Sequence, residues 1–455
     1  MKLASGPSSS CGPRSIQRPA GPLLSVRPCG LGQFKARRSA IRSPTQRQVW
    51  AHSVYHDVDS LPEPEWKENQ VAWSRPSGQP RVEAPPGAPP IVILPGFGNA
   101  STDYTQPFGN EEAAIATRLA VRGWRPFVVP VERKEWFGVA KALLTLRFWR
   151  GQLTTDPGYT WYLEKVAATV ERARRETGSA QVVLVGHSAG GWLGRAYLGD
   201  PRYQHPAFAA SLPAPSPSSS ATPSTVTTPA ASLDMASSAS FDPDPAFAAS
   251  VAAAAFDAAA VGGSPPPPGT AGSRPHPAVR AMVTLGTPQR PPPPEKKRDM
   301  TGGAQGWVDH TYPGAFFADQ GVAYLSICGR TVRGFRTFPR PREGPRIPEE
   351  YAYDSYMEVC GEAQGLEGDC VVPLRSAMLP GARRLVLDGV YHSMSKIGTF
   401  EKESGVVWYG SEDVLDCWLA PLVEELSRGA AGAAAAGQAA KQLVAEGAGS
   451  DAARA

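Results

Sequence analysis

The stretch QVVLVGHSAGG, residues 181–191, decides the fold class of this chain. Residues 182–185 are an apolar, mostly β-branched run, which predicts a buried parallel strand. GHSAG, residues 186–190, follows at once, and residues 192–198 are compatible with a helix. A serine at such a turn needs small neighbours on both sides, because bulk there would collide with adjacent backbone. The pattern predicts an α/β fold with Ser188 as a nucleophile; the alternative is an ordinary turn between a strand and a helix.

The remaining body of the chain alternates strands with helices. Apolar runs predict strands at residues 91–94, 127–131, 279–285, 322–328 and 385–387. Helices are predicted over residues 110–121, where Asn110 caps the first turn, 159–177, 192–198 and 415–426. This alternation predicts a mostly parallel central sheet flanked by helices, in one domain over residues 85–426.

The first residues have the composition of an organelle targeting segment. Residues 1–56 contain nine Lys or Arg and no Asp or Glu, with many Ser, Gly and Pro. We predict a transit peptide over residues 1–51, an extension over 52–84, and a location in the chloroplast stroma or peripherally on plastid membranes, in preference to the mitochondrion. Without these nine cations, 37 basic residues face 42 acidic ones, a net charge of −5. Charge therefore gives no argument for nucleic-acid binding, and no apolar run is long enough to predict a membrane-spanning helix.

Two segments are predicted to be disordered because they lack the large apolar residues that a core needs. Residues 206–277 are rich in Ala, Ser and Pro and read as an insertion. Residues 427–455 form a tail rich in Ala and Gly.

The cysteines do not suggest a disulfide framework. Of the six in the chain, Cys328, Cys360, Cys370 and Cys417 lie outside the predicted transit peptide. Cys360 and Cys370 flank an aspartate considered below, and they are either ordinary reduced thiols or a redox-sensitive pair.

A glycine loop after the first strand suits an oxyanion hole. PGFGN, residues 95–99, follows the strand at residues 91–94. In this architecture one donor is the backbone N–H of the residue after the nucleophile, here Ala189, and the other comes from the early loop, here Phe97. The alternative is a tight turn without a catalytic role.

The base and the acid follow from chain order, because hydrolases of this architecture place serine, acid and histidine in that sequence. Of the seven histidines, only His392 follows the last predicted strand, where it could accept the Ser188 proton; otherwise it is a surface-loop histidine. Asp369, in GDCVVP, lies between the last two strands and is the predicted acid. Asp388, on the final strand, and the more distant Asp354 are its rivals.

The segment WFGVAKALLTLRFW, residues 136–149, places aromatic residues and leucines around Lys141 and Arg147. It is either a core helix or a flap that faces lipid and binds acyl chains. In the second interpretation Phe137, Phe148 and Trp149 bind substrate, and the basic residues favour peripheral contact with an anionic membrane.

From residue 91 to about residue 426 the chain resembles plant and algal plastid α/β-hydrolases described as GPI inositol-deacylase-like or lipase-like. The matching motifs are ILPGFGN, LVGHSAGGW, TLGTP, YMEVCG, GDCVVP, LDGVYHS and GVVWYGS. The resemblance implies the α/β-hydrolase fold, with Ser188, Asp369 and His392 as a catalytic triad. The chain departs from related sequences in two places: they usually carry GDG where this one has GDC, and most lack the long insertion.

These observations together predict a serine hydrolase that cleaves carboxylic esters, plausibly acyl lipids, through an acyl-enzyme intermediate. No metal or organic cofactor is expected, because no His, Cys and Asp cluster has ligand spacing. The expected partners are an ester or lipid substrate and a membrane surface, not nucleic acid, and the oligomeric state is left open. The alternatives are a thioesterase or small-ester esterase, and a non-catalytic scaffold or receptor on the same fold.

Overall fold

The computed structural model describes residues 70–71, 81–204, 273–336, 347–396 and 405–428. The predicted transit peptide and most of the predicted insertion and tail lie outside these ranges and stay predictions, as does the plastid location. Residues 273–277, at the end of the predicted insertion, are described and lead into a core strand. There the His276 imidazole is buried and lies 3.1 Å from the Tyr197 hydroxyl.

A seven-stranded sheet forms the centre of the molecule. Its strands are β1 (Gln70–Val71), β2 (Ile91–Leu94), β3 (Pro126–Val128), β4 (Val182–His187), β5 (Val279–Leu285), β6 (Ala323–Arg330) and β9 (Arg383–Asp388). Their order is β1-β9-β6-β5-β4-β2-β3, and every neighbouring pair is parallel. Two short strands, β7 (Val332–Arg333) and β8 (Glu367–Gly368), pair antiparallel beside it.

Helices cover both faces of the sheet, which is why the central residues of its long strands are mostly apolar. They are Thr102–Thr105, Ile115–Val121, Ala140–Leu143, Leu146–Trp149, Thr160–Thr177, Ala189–Gly199, Pro201–Gln204, Ala304–Thr311, Pro348–Cys360, Leu374–Ala377 and a helix covering residues 412–428. Within the described ranges, 3-10 helices occur at Pro107–Gly109, Arg133–Val139 and Ala318–Gln320. In β4, Val182 and Leu184 pack in one core cluster, whereas Val183 and Val185 pack in another. The predicted parallel α/β sheet flanked by helices is therefore confirmed.

Two predicted helices differ in the structure. The helix expected from Asn110 begins at Ile115, because the Asn110 side chain accepts hydrogen bonds from the backbone N–H groups of Glu112 (3.0 Å) and Ala113 (3.3 Å) and stabilises a separate turn. Residues 136–149 form a 3-10 turn and two short helices instead of one helix. None of the helices in the described ranges has the length and apolar character needed to cross a membrane.

Candidate active site

Ser188 lies in a strained turn between β4 and the helix Ala189–Gly199. Its backbone has φ 51° and ψ −127°, a conformation that L residues rarely adopt. A Cβ atom on Gly186 would lie 2.5 Å from the Gly191 backbone, and one on Gly190 would lie 2.2 Å from the Leu94 carbonyl oxygen. Both positions therefore require glycine, and the turn has the geometry of a nucleophile elbow.

His392 follows β9 and is bonded to Asp369. The His392 Nδ1 atom lies 2.7 Å from Asp369 Oδ2, and the His392 backbone N–H donates to the Asp369 carbonyl oxygen over 2.8 Å. Both side chains are almost completely buried. A neutral imidazole whose Nδ1–H donates to a carboxylate presents Nε2 as an acceptor. Nε2 is buried and has no hydrogen-bond partner among the described residues, so its lone pair is available for a proton.

Three donors besides His392 hold the Asp369 carboxylate. The backbone N–H groups of Val371 (3.0 Å) and Val372 (2.7 Å) donate to Oδ1, and the Tyr409 hydroxyl donates to Oδ2 over 2.6 Å. Burial raises the pKa of Tyr409 well above its usual value, so this phenol stays protonated and remains a donor. These hydrogen bonds fix the orientation of the carboxylate, so that Oδ2 can accept the hydrogen bond from the His392 imidazole.

The other two candidate acids are engaged elsewhere. Asp388 forms a bidentate ion pair with Arg330, with distances of 2.6 and 2.9 Å. Asp354 lies 3.6 Å from Arg336. Of the three candidate acids, Asp369 is the one bonded to His392.

Two contacts connect the Ser188 turn with the acid and base. The ring of His187, the residue before the nucleophile, lies 4.6 Å from the His392 ring, centroid to centroid. The Ser188 backbone N–H donates to the carbonyl oxygen at the end of β5. The next residue there is Gly286, where a Cβ atom would lie 2.3 Å from Asp369 Oδ2 and 2.9 Å from His392 Nδ1. The carboxyl ends of β4, β5 and β9 thus meet at one place, as ligand sites of parallel sheets do.

A buried hydrogen-bond chain extends from the glycine loop to His392. The Tyr104 hydroxyl oxygen accepts from the Gly96 backbone N–H (3.1 Å) and from Asn99 Nδ2 (2.9 Å), so its own proton is directed to His187 Nδ1 at 2.8 Å. The His187 Nε2–H then donates to the His392 carbonyl oxygen over 2.9 Å. Burial lowers the pKa of His187 well below its usual value, which keeps the ring neutral as this chain requires.

Sequence reasoning did not assign a role to Tyr104, His187 or Tyr409. His187 lies inside the nucleophile motif, and Tyr409 lies in the GVVWYGS motif, but neither pattern indicates a hydrogen-bond partner. Tyr104 is 83 residues from the histidine it contacts, and Tyr409 is 40 residues from Asp369. Only the fold could reveal these contacts.

The loop at residues 95–99 packs directly on the serine. A Cβ atom on Gly96 would lie 2.7 Å from Ser188 Cβ, so only glycine allows this approach. The loop is held by the Tyr162 hydroxyl, which donates to the Pro95 carbonyl, and by the Trp136 indole N–H, which donates to the Asn99 carbonyl, both over 2.8 Å.

The two amides predicted to bind an oxyanion lie in this region. Ala189 is the first residue of its helix, so its N–H has no acceptor within the helix. Among the described residues no backbone hydrogen bond is donated by Phe97 or Ala189. The Phe97 side chain is 52% exposed and contacts the Trp136 ring at 5.1 Å between centroids.

The three residues predicted to bind substrate occupy two different environments. Phe148 is 7% exposed and packs under the Arg298 guanidinium, which lies 4.8 Å from the ring centre. Phe137 and Trp149 are 60% and 62% exposed. Of these three residues, Phe148 thus belongs to the core, whereas Phe137 and Trp149 lie at the surface.

Cys360 and Cys370 are both free thiols. The Cys360 Sγ atom lies 3.2 Å from the Glu362 carbonyl oxygen and the Cys370 Sγ atom 3.0 Å from that of Lys396, and burial raises the pKa of both thiols. Cys370 has φ 86°, a left-handed conformation that favours glycine. Within the described ranges, no three His, Cys, Asp or Glu side chains are grouped as metal ligands.

Two solved structures of one lipase are similar to this chain. The lipase BlEst2 of Bacillus licheniformis in its mature form is 15% identical, with a TM-score of 0.33 over 69% of this chain and 89% of the lipase chain. The same lipase with its propeptide gives the same identity, TM-score and coverage of this chain, but 48% of its own length is covered. No family model and no curated protein matches the chain. The α/β-hydrolase fold therefore rests on the sheet topology and the serine turn, and the activity has to be argued from the site.

Proposed function

We propose that this protein is a serine hydrolase that cleaves carboxylic esters, with acyl lipids as its substrate class. The observation that carries the proposal is the buried Asp369–His392 pair with a free Nε2 atom, beside a serine in a strained strand-to-helix turn. A carboxylate, an imidazole and a hydroxyl in these roles activate a serine that is otherwise a weak nucleophile.

The chemistry follows from the atoms available. Ser188 Oγ attacks the acyl carbonyl carbon while His392 Nε2 accepts its proton, and the N–H groups of Phe97 and Ala189 stabilise the oxyanion. His392 then gives that proton to the leaving alkoxide, which departs as the alcohol and leaves an acyl-serine ester. Water attacks this ester with His392 as the base, the acid is released and the serine regains its proton. Asp369 stabilises the imidazolium in both steps without taking the proton.

Apolar surface beside the loop favours a substrate with an acyl chain. Phe97 is half-exposed next to the serine, and its ring contacts Trp136, which is followed by the exposed Phe137. Apolar contacts of this kind bind the part of a substrate that does not react. A lipid ester fits this surface better than a small polar ester.

The test measures hydrolysis of p-nitrophenyl esters from acetate to palmitate, and of an acyl-CoA thioester. We expect Ser188→Ala to lower kcat/KM at least about 10⁴-fold. The matched control is Ser179→Ala, at the opposite end of β4, where the hydroxyl donates to the Gln181 carbonyl over 2.7 Å and accepts from the Gln181 backbone N–H over 3.4 Å; it should leave kcat/KM unchanged. A preference for the thioester or for acetate would instead support a thioesterase or a small-ester esterase. A folded protein without hydrolysis would support a scaffold or receptor.

We also propose that the protein acts in the plastid, because residues 1–56 are basic, free of acidic residues and rich in Ser and Pro. Fusion of these residues to a fluorescent protein in algal or plant cells tests this proposal. Plastid fluorescence is expected, and mitochondrial or cytosolic fluorescence would contradict it.

A further inference from the structure

Residues 137–150 form an exposed apolar surface next to the candidate active site. Ten large apolar side chains in the described ranges are exposed, and four of them fall in this short stretch: Phe137, Leu144, Leu146 and Trp149. Exposed fractions reach 70% at Leu146 and 62% at Trp149. Apolar side chains clustered in this way, rather than scattered singly, mark an interaction surface.

The backbone of this surface is anchored, so the exposed side chains are held outward. Ala142 and Phe148 of this stretch, and Trp136 directly before it, are buried in the core. The Trp149 indole N–H donates to the Leu143 carbonyl oxygen over 2.7 Å, and the Arg298 guanidinium lies 4.6 Å from the centre of the Trp149 ring. The exposed side chains thus project from a segment that is anchored in the core.

The charge on this surface is positive. No Asp or Glu occurs between Glu135 and Asp156. Lys141, Arg147 and Arg150 are exposed, and none of them has an ion pair among the described residues. The positive charge is a local property of this surface, because residues 57–455 together carry a net charge of −5. The surface therefore attracts an acidic partner.

We propose that the 137–150 surface docks onto an anionic lipid bilayer. Aromatic and leucine side chains flanked by unpaired cations are the combination that binds the interface of such bilayers, where apolar groups enter the headgroup region and cations meet lipid phosphate. The ring contact between Phe97 and Trp136 connects this surface with the loop beside Ser188. Docking would therefore bring the candidate site to the lipid. The docking does not depend on the proposed hydrolysis. Only the conclusion that docking delivers substrate to Ser188 rests on the proposed function.

Vesicle binding of the full-length chain in a Ser188→Ala background tests the proposal without any contribution from turnover. Binding should be strong to vesicles of phosphatidylcholine mixed with phosphatidylglycerol and weak to pure phosphatidylcholine. Arg147→Gln with Arg150→Gln should weaken binding to the anionic vesicles about 30-fold, since each cation near such a surface contributes about fivefold. The matched control is Arg125→Gln with Arg175→Gln, two exposed arginines elsewhere, and it should bind as the parent does.

A second pair of variants tests the apolar part. Leu146→Ser should weaken binding about fivefold, because its side chain leaves water on docking. Val121→Ser is the matched control, because the Val121 side chain is similarly exposed but lies on the helix Ile115–Val121, which packs in a different core cluster from residues 137–150. This substitution should leave vesicle binding unchanged. Brominated lipid should also quench tryptophan fluorescence more strongly in the parent than in Trp149→Phe. This difference would identify the face that carries Trp149 as the one that inserts into the bilayer.

Three results would overturn the proposal. One is equal binding to anionic and neutral vesicles. Another is an equal effect in the test and control variants: equal loss would assign binding to charge in general, and no loss in either would assign it to the basic residues 1–56 that all variants share. The third is a dimer in solution that Leu146→Ser dissociates, which would show that a second copy of the chain covers this surface.

Discussion

Tyr409→Phe removes one hydroxyl group that lies directly behind the candidate acid. Tyr409 is fully buried; its hydroxyl donates to Asp369 Oδ2 over 2.6 Å and accepts from the Gly329 backbone N–H over 2.8 Å. The substitution deletes a hydrogen bond to a charged group, about 1.5–3 kcal/mol, and leaves a backbone N–H without an acceptor, about 1–3 kcal/mol. We expect the free energy of unfolding to fall by about 2.5–6 kcal/mol.

The same substitution should lower kcat on a soluble ester about tenfold, which corresponds to about 1.4 kcal/mol, with KM little changed. The reason is that Asp369 Oδ2 keeps His392 as its only partner, so the carboxylate is less firmly oriented when the imidazolium forms. Urea unfolding gives the stability, and initial rates at a temperature where both proteins are folded give kcat.

Tyr356→Phe is the matched control. Tyr356 is also fully buried, and its hydroxyl donates to the Val332 carbonyl (2.9 Å) and accepts from the Cys370 backbone N–H (3.2 Å) without bonding to the Asp369 carboxylate. It should lose stability but retain kcat. Equal losses of kcat in the two variants, or an unchanged kcat in Tyr409→Phe, would refute the positioning role.

Three further predictions, made on four substitutions, test the site and the turn. Asp369→Asn should lower kcat/KM about 10⁴-fold, whereas Asp388→Asn should change it less than about threefold; the reverse order would show that the wrong acid was chosen. Burial lowers the pKa of His187 in the folded protein. The stability that His187 contributes is therefore complete above about pH 6.5, where the side chain of the unfolded protein is also neutral. It falls as the pH drops from there toward the folded pKa, by at most about 1.4 kcal/mol per pH unit. Urea unfolding at about pH 7.5 and 5.5 should therefore show a smaller difference for His187→Gln than for the parent, and an equal difference would contradict this assignment. Gly190→Ala should destabilise the fold by about 3 kcal/mol or more, because its Cβ would lie 2.2 Å from the Leu94 carbonyl oxygen, and an unchanged melting temperature would show that the turn can relax.

The strands could be predicted from sequence because both faces of the sheet are covered. An uninterrupted apolar run such as residues 182–185 packs into two core clusters, one on each face of the sheet. The bounds of β2 and β5 are the predicted ones. Helix ends were less predictable, because they depend on local competition. Asn110 has the chemistry of a cap, but its side chain stabilises a turn before the helix.

The candidate site shows the same division. The serine turn could be predicted because its steric demand falls on neighbours in sequence, Gly186 and Gly190. The candidate acids could only be ranked from sequence, because what distinguishes them is their partners in the fold. Asp369 is bonded to His392, whereas Asp388 is paired with Arg330. Such contacts join distant parts of the chain, which no local pattern records.

The segment at residues 136–149 illustrates a third limit. Its composition indicates apolar contacts but not their direction, because aromatic residues occur too densely for a helical period to assign one face. The structure places Phe148 in the core and Phe137 at the surface. Packing of neighbours such as Gly302, where a Cβ atom would lie 2.3 Å from the Phe148 ring, decides which ring is buried.

Labelling with a fluorophosphonate probe tests the central claim most directly, because the probe reacts only with an activated serine. The account predicts about one equivalent of label on the folded chain, mapped by mass spectrometry to Ser188. The label should be absent from Ser188→Ala and should form far more slowly in His392→Gln. Label on a different serine, or none on protein shown to be folded by circular dichroism, would contradict the proposed hydrolase.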